Sequence, residues 1–250
     1  MLILSLDTTT AGGSAALMDD GRLLEEQPGD ASRTHGERLP SELLVLLERH
    51  GRRLADVDLF AVAAGPGAFT GLRIGIATVQ GLALAERRRV VAISALEALA
   101  WAVCPPLARE PIADLVVITC MDAQRGEIYA AAYEPPGDAA SWRQAGESGV
   151  VRELAPPVAA SPAALLASWA PLADRPALVV GDGGLTHRAA IQTWNPRATF
   201  VEPTPLLAGA IAAMAGPRAR AGDAVAPHDI RPLYVRRPDA ERDRDRRTAR

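Results

Sequence analysis

The chain opens twice in the same way, and this repetition constrains its fold more than any other feature. Residues 2–6 (LILSL) form a short apolar run suited to a buried strand. Asp7-Thr8-Thr9-Thr10-Ala11-Gly12-Gly13 reads as a turn, and residues 14–18 (SAALM) as a second strand. Residues 115–120 (LVVITC) repeat the strand, Asp122–Gly126 the turn, and Glu127–Tyr133 a second strand with alternating apolar positions. Halves that each begin strand, Asp-containing turn, strand predict two similar α/β lobes with a cleft between them. At 250 residues and 48% hydrophobic content the chain can give each lobe a real core.

The rest of the chain fills in that plan. Asp19-Asp20-Gly21 reads as a hairpin turn leading to a third strand near 22–27. Residues 34–50 look helical: Thr34 and Glu37 have capping-box spacing, and Leu39, Leu43, Leu46, Leu47 and His50 recur at helical intervals. Pro40 is awkward inside that helix and is read as marking its first turn. A strand at 57–64, a helix at 70–86, a strand at 90–93 and a helix from Ser94 to about Val103 follow. Cys104-Pro105-Pro106 to Pro111 is the best boundary, giving an N-terminal lobe at 1–104 and a C-terminal lobe at 111–203. A loose Pro/Gly/Ala stretch runs to about 160, then a helix at 162–169, a strand at 177–180 and helices at 185–193 and 205–215. The last helix is a candidate to pack back on the first lobe. Residues 239–250 (DAERDRDRRTAR) form a mixed-charge tail expected to be disordered.

Composition removes several chemistries. All 27 basic residues are Arg, which excludes the Walker-type P-loop and Schiff-base catalysis, both of which need Lys. The net charge is −3, and residues 231–250 hold eight Arg against four acids, so the body carries about −7 and is a poor stand-alone binder of phosphate backbones. Cys104 and Cys120 form no metal or redox pattern; two buried thiols are favoured over a disulfide. His35, His50, His187 and His228 are scattered, with no HExxH, and no GxSxG occurs, so metal-hydrolase and serine-hydrolase readings lack their residues. MLILSLDTTT lacks the positive region of a signal peptide, and no uncharged apolar stretch is long enough to span a membrane. The expectation is a soluble cytoplasmic protein.

Four motifs could carry function. Asp7-Thr8-Thr9 could hold metal-bound water and phosphate oxygens, or could simply satisfy its own turn. Gly65-Pro66-Gly67-Ala68-Phe69-Thr70-Gly71-Leu72-Arg73-Ile74-Gly75 follows a strand and opens a helix, where exposed N–H groups can hold an anion and Thr70 is a natural N-cap. Its spacing fits neither the Walker loop nor the dinucleotide fingerprint. Within the helix Gly71, Gly75 and Thr78 make a smooth face; since an interior glycine costs about 1 kcal/mol, another backbone should come close. That backbone could belong to the chain's own sheet or to a second subunit. Asp122-Ala123-Gln124-Arg125-Gly126-Glu127 takes the place of a second phosphate turn but has no Asp-x-Gly, and Gly181-Asp182-Gly183-Gly184 could flank an adenosine or be a plain strand-to-helix turn.

Together these residues resemble the TsaB (YeaZ) family, through LDTT at 6–9, THGERL at 34–39, AGPGAFTGLRIG at 64–75, ISALEALA at 93–100, MDAQRGEIYAAAY at 121–133 and PLYVRR at 232–237. The resemblance spans nearly the whole chain in order, apart from the loop around 134–176 and the charged tail. It implies an α/β, two-lobed actin-like/RNase H-like (ASKHA) fold with mixed sheets flanked by helices. It also implies a non-catalytic scaffold that dimerises with and activates a TsaD-type catalytic subunit in forming threonylcarbamoyladenosine at position 37 of tRNA. The catalytic relative carries HxxxH metal ligands where this chain has Ala95 and Leu99, so no catalytic and no metal residue is expected. Asp7, Thr8 and Thr9 are then a vestigial phosphate turn. The implied dimer surface comprises the helices at 34–50 and 70–86, with Leu39, Leu43, Leu46, Leu47, Gly71, Leu72, Gly75, Ile76, Thr78 and Val79 as interface positions. The implied partners are the TsaD-type subunit, a TsaE-type ATPase and, in isolation, a second copy; tRNA is met only through the complex. No cofactor is expected on the chain alone, with ATP or ADP a candidate at the complex interface. The alternatives are an ATP-binding actin-type kinase or hydrolase and, last, a metalloprotease.

Overall fold

The computed structural model describes residues 1–10, 12–107, 113–136, 148 and 151–236, with backbone alone at 104–107. The expected tail at 239–250, the side chain of Cys104 and much of the stretch between the lobes fall outside the described residues. The elements in chain order are β1 (Leu2–Asp7), β2 (Ser14–Asp19), β3 (Arg22–Pro28), α1 (His35–Arg49), β4 (Leu59–Gly65), α2 (Phe69–Ala85), β5 (Arg89–Ser94) and α3 (Ala95–Leu107). After them come β6 (Val116–Asp122), β7 (Ile128–Glu134), β8 (Arg152–Ala160), α4 (Pro162–Ser168), β9 (Ala177–Val180), α5 (Asp182–Thr186), α6 (Arg188–Trp194), β10 (Ala198–Phe200) and α7 (Ala208–Ala221).

The repeated opening produces two sheets of the same design. One runs β3-β2-β1-β4-β5 and the other β8-β7-β6-β9-β10. In each, the opening strand pairs antiparallel with the next strand and parallel with a later one, itself parallel to an edge strand. The mixed sheets flanked by helices give an actin-like α/β fold.

Alternation along β1 explains the layering. Leu2, Leu4 and Leu6 join Leu39, Leu43, Leu46, Leu47, Leu72, Ile76 and Val79 in a core between the first sheet and the α1–α2 pair. Ile3, on the other face, joins a middle core that also takes in Ala95, Leu96 and Leu99 of α3, Ile211 and Met214 of α7, and Val117 and Tyr133 of the second sheet. A third core lies between the second sheet and helices α4 and α6. The helices thus form layers, with α3 and α7 between the two sheets. Helix α7 packs on the first sheet, and β2 and β3 satisfy its opening N–H groups: Ser14 Oγ accepts from Leu207 N (3.3 Å) and Ala208 N (3.0 Å), and Glu26 Oε1 accepts from Gly209 N (2.7 Å). This explains why Ser14 can be buried.

Several boundaries differ from the sequence expectation. Pro40 is the sixth residue of α1, past its first turn. Helix α2 starts at Phe69 with Ala68 as N-cap, because Ala68 O already accepts from Leu72 N (2.8 Å); Thr70 lies within the first turn. Helix α3 continues through the two prolines to Leu107. The stretch read as loose contains β8, an edge strand whose Pro156 and Pro157 fall where the ladder with β7 is interrupted, so no pairing N–H is lost. Strand β10 is only three residues long, too short to show a period.

Candidate functional site

The C-terminal ends of β1 and β6 face a cavity of about 650 Å³. Thr9, Thr10 and residues 66–69 line it from the first lobe, Met121–Arg125, Tyr129 and Asp182 from the second, and residues 233–236 from the end of the described chain. This is where an α/β protein of this design places a ligand.

The Asp7 turn is satisfied from within. Asp7 is buried; its Oδ1 accepts from Thr9 N (2.8 Å) and Thr9 Oγ1 (2.5 Å), and its Oδ2 accepts from Thr10 Oγ1 (3.1 Å). Burial pushes its carboxyl above the ordinary range, and the bonds from Thr9 and Thr10 oppose that. Thr8 is buried, and its Oγ1 has no hydrogen-bond partner among the described residues. Of the three candidate phosphate-turn residues, only Thr9 reaches the cavity. Asp7 thus takes its bonds from within its own turn, and Thr8 packs against α2.

The glycine segment explains what Thr8 packs against. A Cβ on Gly67 would overlap Thr9, one on Gly71 would overlap Thr8 O, and one on Gly75 would overlap Thr8 Oγ1. Ala68 N donates to Thr9 O (3.0 Å). What approaches these glycines is the chain's own first turn, by its backbone at Gly71, by the Thr8 side chain at Gly75 and by both at Gly67, and it lies along a groove of missing side chains. His35 and Arg38 close the same turn from α1. Arg38 is only 1% exposed; it donates to His35 Nδ1 (2.7 Å) and to Gly12 O and pairs with Glu42, its guanidinium lying where Gly29 has no side chain. Burial, then the nearby Arg38, hold the His35 imidazole below its ordinary range.

The second turn is also occupied by its own bonds. Asp122 Oδ1 accepts from Gln124 N (2.8 Å), and Asp182 Oδ1 accepts from Asp122 N (3.1 Å) and Gly183 N (2.8 Å). A Cβ on Gly181 would overlap Cys120 O, and one on Gly183 would sit 2.8 Å from Met121 C. The GDGG run is thus a close strand-to-helix turn against β6. Among the described residues no group of three His, Cys, Asp or Glu could hold a metal ion. Ala95 and Leu99 are fully packed in the middle core. The Cys120 thiol is buried and pushed up to about 12 by desolvation.

The interface candidates lie mostly on the inner faces of their helices. Leu39, Leu43, Leu46, Leu47, Leu72, Ile76 and Val79 are buried in the chain's own outer core, and Gly71 and Gly75 are buried against Thr8; Thr78 alone is half-buried. Helical spacing identified the buried stripe of each helix, which is the stripe a lobe uses for itself. The opposite face is the exposed one. Leu44 (45%) and Val45 (48%) on α1 and Leu84 (67%) on α2 stand in solvent, with Ala77 and Gly81 exposed on the same side of α2. A Cβ on Gly81 would meet nothing within 4 Å.

Sequence reasoning missed the role of the segment at 231–236. Leu233 N donates to Ala64 O (2.6 Å), and Tyr234 stacks on Phe69 with ring centroids 5.6 Å apart. Arg73 lies over the Phe69 ring, 3.9 Å from its centroid, and its Nε donates to Tyr234 Oη (3.1 Å). Arg236 Nη1 donates to Ala123 O (2.9 Å) and pairs with Glu127 (3.0 Å). The run PLYVRR carries no periodicity that could have disclosed these contacts.

The fold and site therefore define an actin-like protein whose phosphate-type turns are satisfied internally. Comparison with known proteins places it further. The TsaD family, described as tRNA N6-adenosine threonylcarbamoyltransferase, matches residues 26–146. The chain is 35% identical to the tRNA threonylcarbamoyladenosine biosynthesis protein TsaB of Escherichia coli over 54% of this chain, and spans only 55% of that protein's length. It is 31% identical to an uncharacterized Mycobacterium tuberculosis protein over 96% of this chain and 93% of that one. A solved Pseudomonas aeruginosa structure, described as similar to peptidase YeaZ, superposes with a TM-score of 0.75 at 31% identity, covering 94% of this chain and 99% of that one. A second, YeaZ from the same organism, gives 0.71 at 29% identity, covering 93% and 99%. The chain belongs to the TsaB (YeaZ) family.

Proposed function

We propose that this chain takes part in tRNA threonylcarbamoyladenosine biosynthesis as the non-catalytic partner that dimerises with and activates a TsaD-type subunit. The observation that carries this reading is Gly81. An exposed glycine inside a helix costs about 1 kcal/mol relative to alanine, and here no contact among the described residues requires it. With exposed Ala77 and Leu84 on the same side of α2, it makes a shallow apolar face that a partner helix can approach closely, and α1 adds exposed Leu44 and Val45. A second copy takes that surface when the TsaD-type subunit is absent. A TsaE-type ATPase joins the assembly, ATP or ADP binds at the complex interface, and tRNA is met through the complex. A scaffold role is supported by Ala95 and Leu99, whose side chains cannot bind the metal of the catalytic relative. No helix among the described residues is long and apolar enough to cross a membrane.

The test is co-purification with the host's TsaD-type protein. Gly81→Leu should abolish the pairing and the modification of tRNA in the reconstituted system while leaving the thermal unfolding of the isolated chain in place. Pairing at wild-type strength would remove this face from consideration. An ATP-using enzyme is the second reading, motivated by the cavity; calorimetry with Mg-ATP on the isolated chain decides it, since tight binding with turnover would require that reading. Stoichiometric zinc or iron in the purified protein would be needed to sustain a metalloprotease.

A further inference from the structure

We infer that residues 231–236 act as a clasp that fixes the two lobes relative to each other across the cleft, a task that a bound ligand performs in two-lobed proteins that open and close. The segment belongs to no helix or strand and makes contacts at both ends that differ in kind. On the first lobe it holds backbone and ring: Leu233 N bonds to Ala64 O (2.6 Å), and Tyr234 stacks on Phe69 and accepts from Arg73 Nε (3.1 Å). On the second it holds charge: Arg236 reaches Ala123 O (2.9 Å) and Glu127 (3.0 Å), on either side of the turn between β6 and β7.

The first lobe is shaped to receive this segment. Gly65 sits at φ +110°, and a Cβ there would stand 2.9 Å from Leu233 O, so the close approach needs glycine. Phe69 and Arg73 belong to the first turns of α2; both are exposed, and both contact Tyr234. At the second lobe, Arg236 is largely shielded from solvent and so is Glu127 (16% and 25% side-chain exposure), so their pairing is worth more than that of an open surface pair. Residues 233–236 also line the cavity, so the clasp closes one side of it. Leu233 and Tyr234 remain about two-fifths exposed (41% and 42%), which marks the clasp as a low-stability element that can release before either sheet does.

A clasp couples its ends, and hydrogen exchange on the full chain reads that coupling. Arg236→Gln removes the second-lobe anchor; the Leu233 amide, which it does not touch, should then exchange at least about ten-fold faster. Tyr234→Ala removes the first-lobe anchor, and the Ala123 and Glu127 amides should speed up in turn. Amides of β1 and β6 serve as controls in the same molecules. Acceleration confined to the clasp and the far anchor supports the inference. No acceleration at the far end, or equal acceleration throughout β1 and β6, overturns it. Neither outcome depends on a partner subunit, so the result is independent of the reading proposed above.

Discussion

Gly75 of α2 lies directly against Thr8, so closely that a Cβ on the glycine would overlap the threonine hydroxyl oxygen. Gly81, six residues later on the same helix, faces open space. Two glycines that look alike in the sequence therefore do different work, and they should respond to substitution in opposite directions. Gly75→Ala should destabilise the chain by about 1–3 kcal/mol, the usual cost of overfilling a packed site. Urea unfolding measures it; an unchanged midpoint would mean that Thr8 moves aside freely.

Gly81→Ala should raise the stability of the isolated chain by about 1 kcal/mol, because the exposed interior position loses only a helix penalty. The same denaturant series checks this. Combined with weaker self-association by analytical ultracentrifugation, it would show that the glycine serves contact between chains at the expense of the single chain.

Arg38 is a buried cation held by Glu42, Gly12 O and His35 at the base of the first turn. Arg38→Ala should cost about 3 kcal/mol, since it removes a buried cation and leaves Gly12 O and the half-buried Glu42 unmatched. Loss of a cooperative unfolding transition at ordinary temperature is the limiting form of that outcome. A cost below about 1 kcal/mol would place the pair with surface ion pairs.

Cys120 should resist alkylation in the native chain at pH 8 and react readily in denaturant, because its thiol is buried and held up to about 12. Peptide mass spectrometry after iodoacetamide treatment resolves it. The sign for stability follows. The unfolded thiol ionises near 9.0 while the folded one keeps its proton, so the unfolded state binds fewer protons from about pH 9 to 12 and stability falls through that window. Cys120→Ala should flatten this alkaline loss.

Asp7 gives the corresponding effect on the acid side. Burial raises its folded carboxyl above the ordinary value of 3.8, so the native state binds the extra proton in the window from there up to the raised value. Stability contributed by this group is present below that window and lost as pH rises through it. Asp7→Asn, which keeps an oxygen acceptor for Thr9, should remove this part of the pH dependence in a stability-against-pH series.

The local pattern of residues was enough to disclose much of the plan. An apolar run, an Asp-containing turn and a second run, occurring twice, predicted two like halves, and the two sheets have the same strand order. Leu39, Leu43, Leu46 and Leu47 were correctly grouped on one face of α1, because a helix of 3.6 residues per turn brings those positions together. What covers that face was not legible. Spacing defines which residues share a stripe but is silent on whether the chain's own sheet or another molecule lies over it, and only the packing showed the leucines in the core and Gly71 and Gly75 on Thr8. Strand β8 was hidden by its prolines, whose acceptance depends on an edge position that sheet order alone decides. The clasp at 231–236 joins residues more than a hundred positions apart, Arg236 to Ala123 and Tyr234 to Arg73. Such contacts leave no periodic trace, because they are set by where the folded lobes place their surfaces and not by neighbours along the chain.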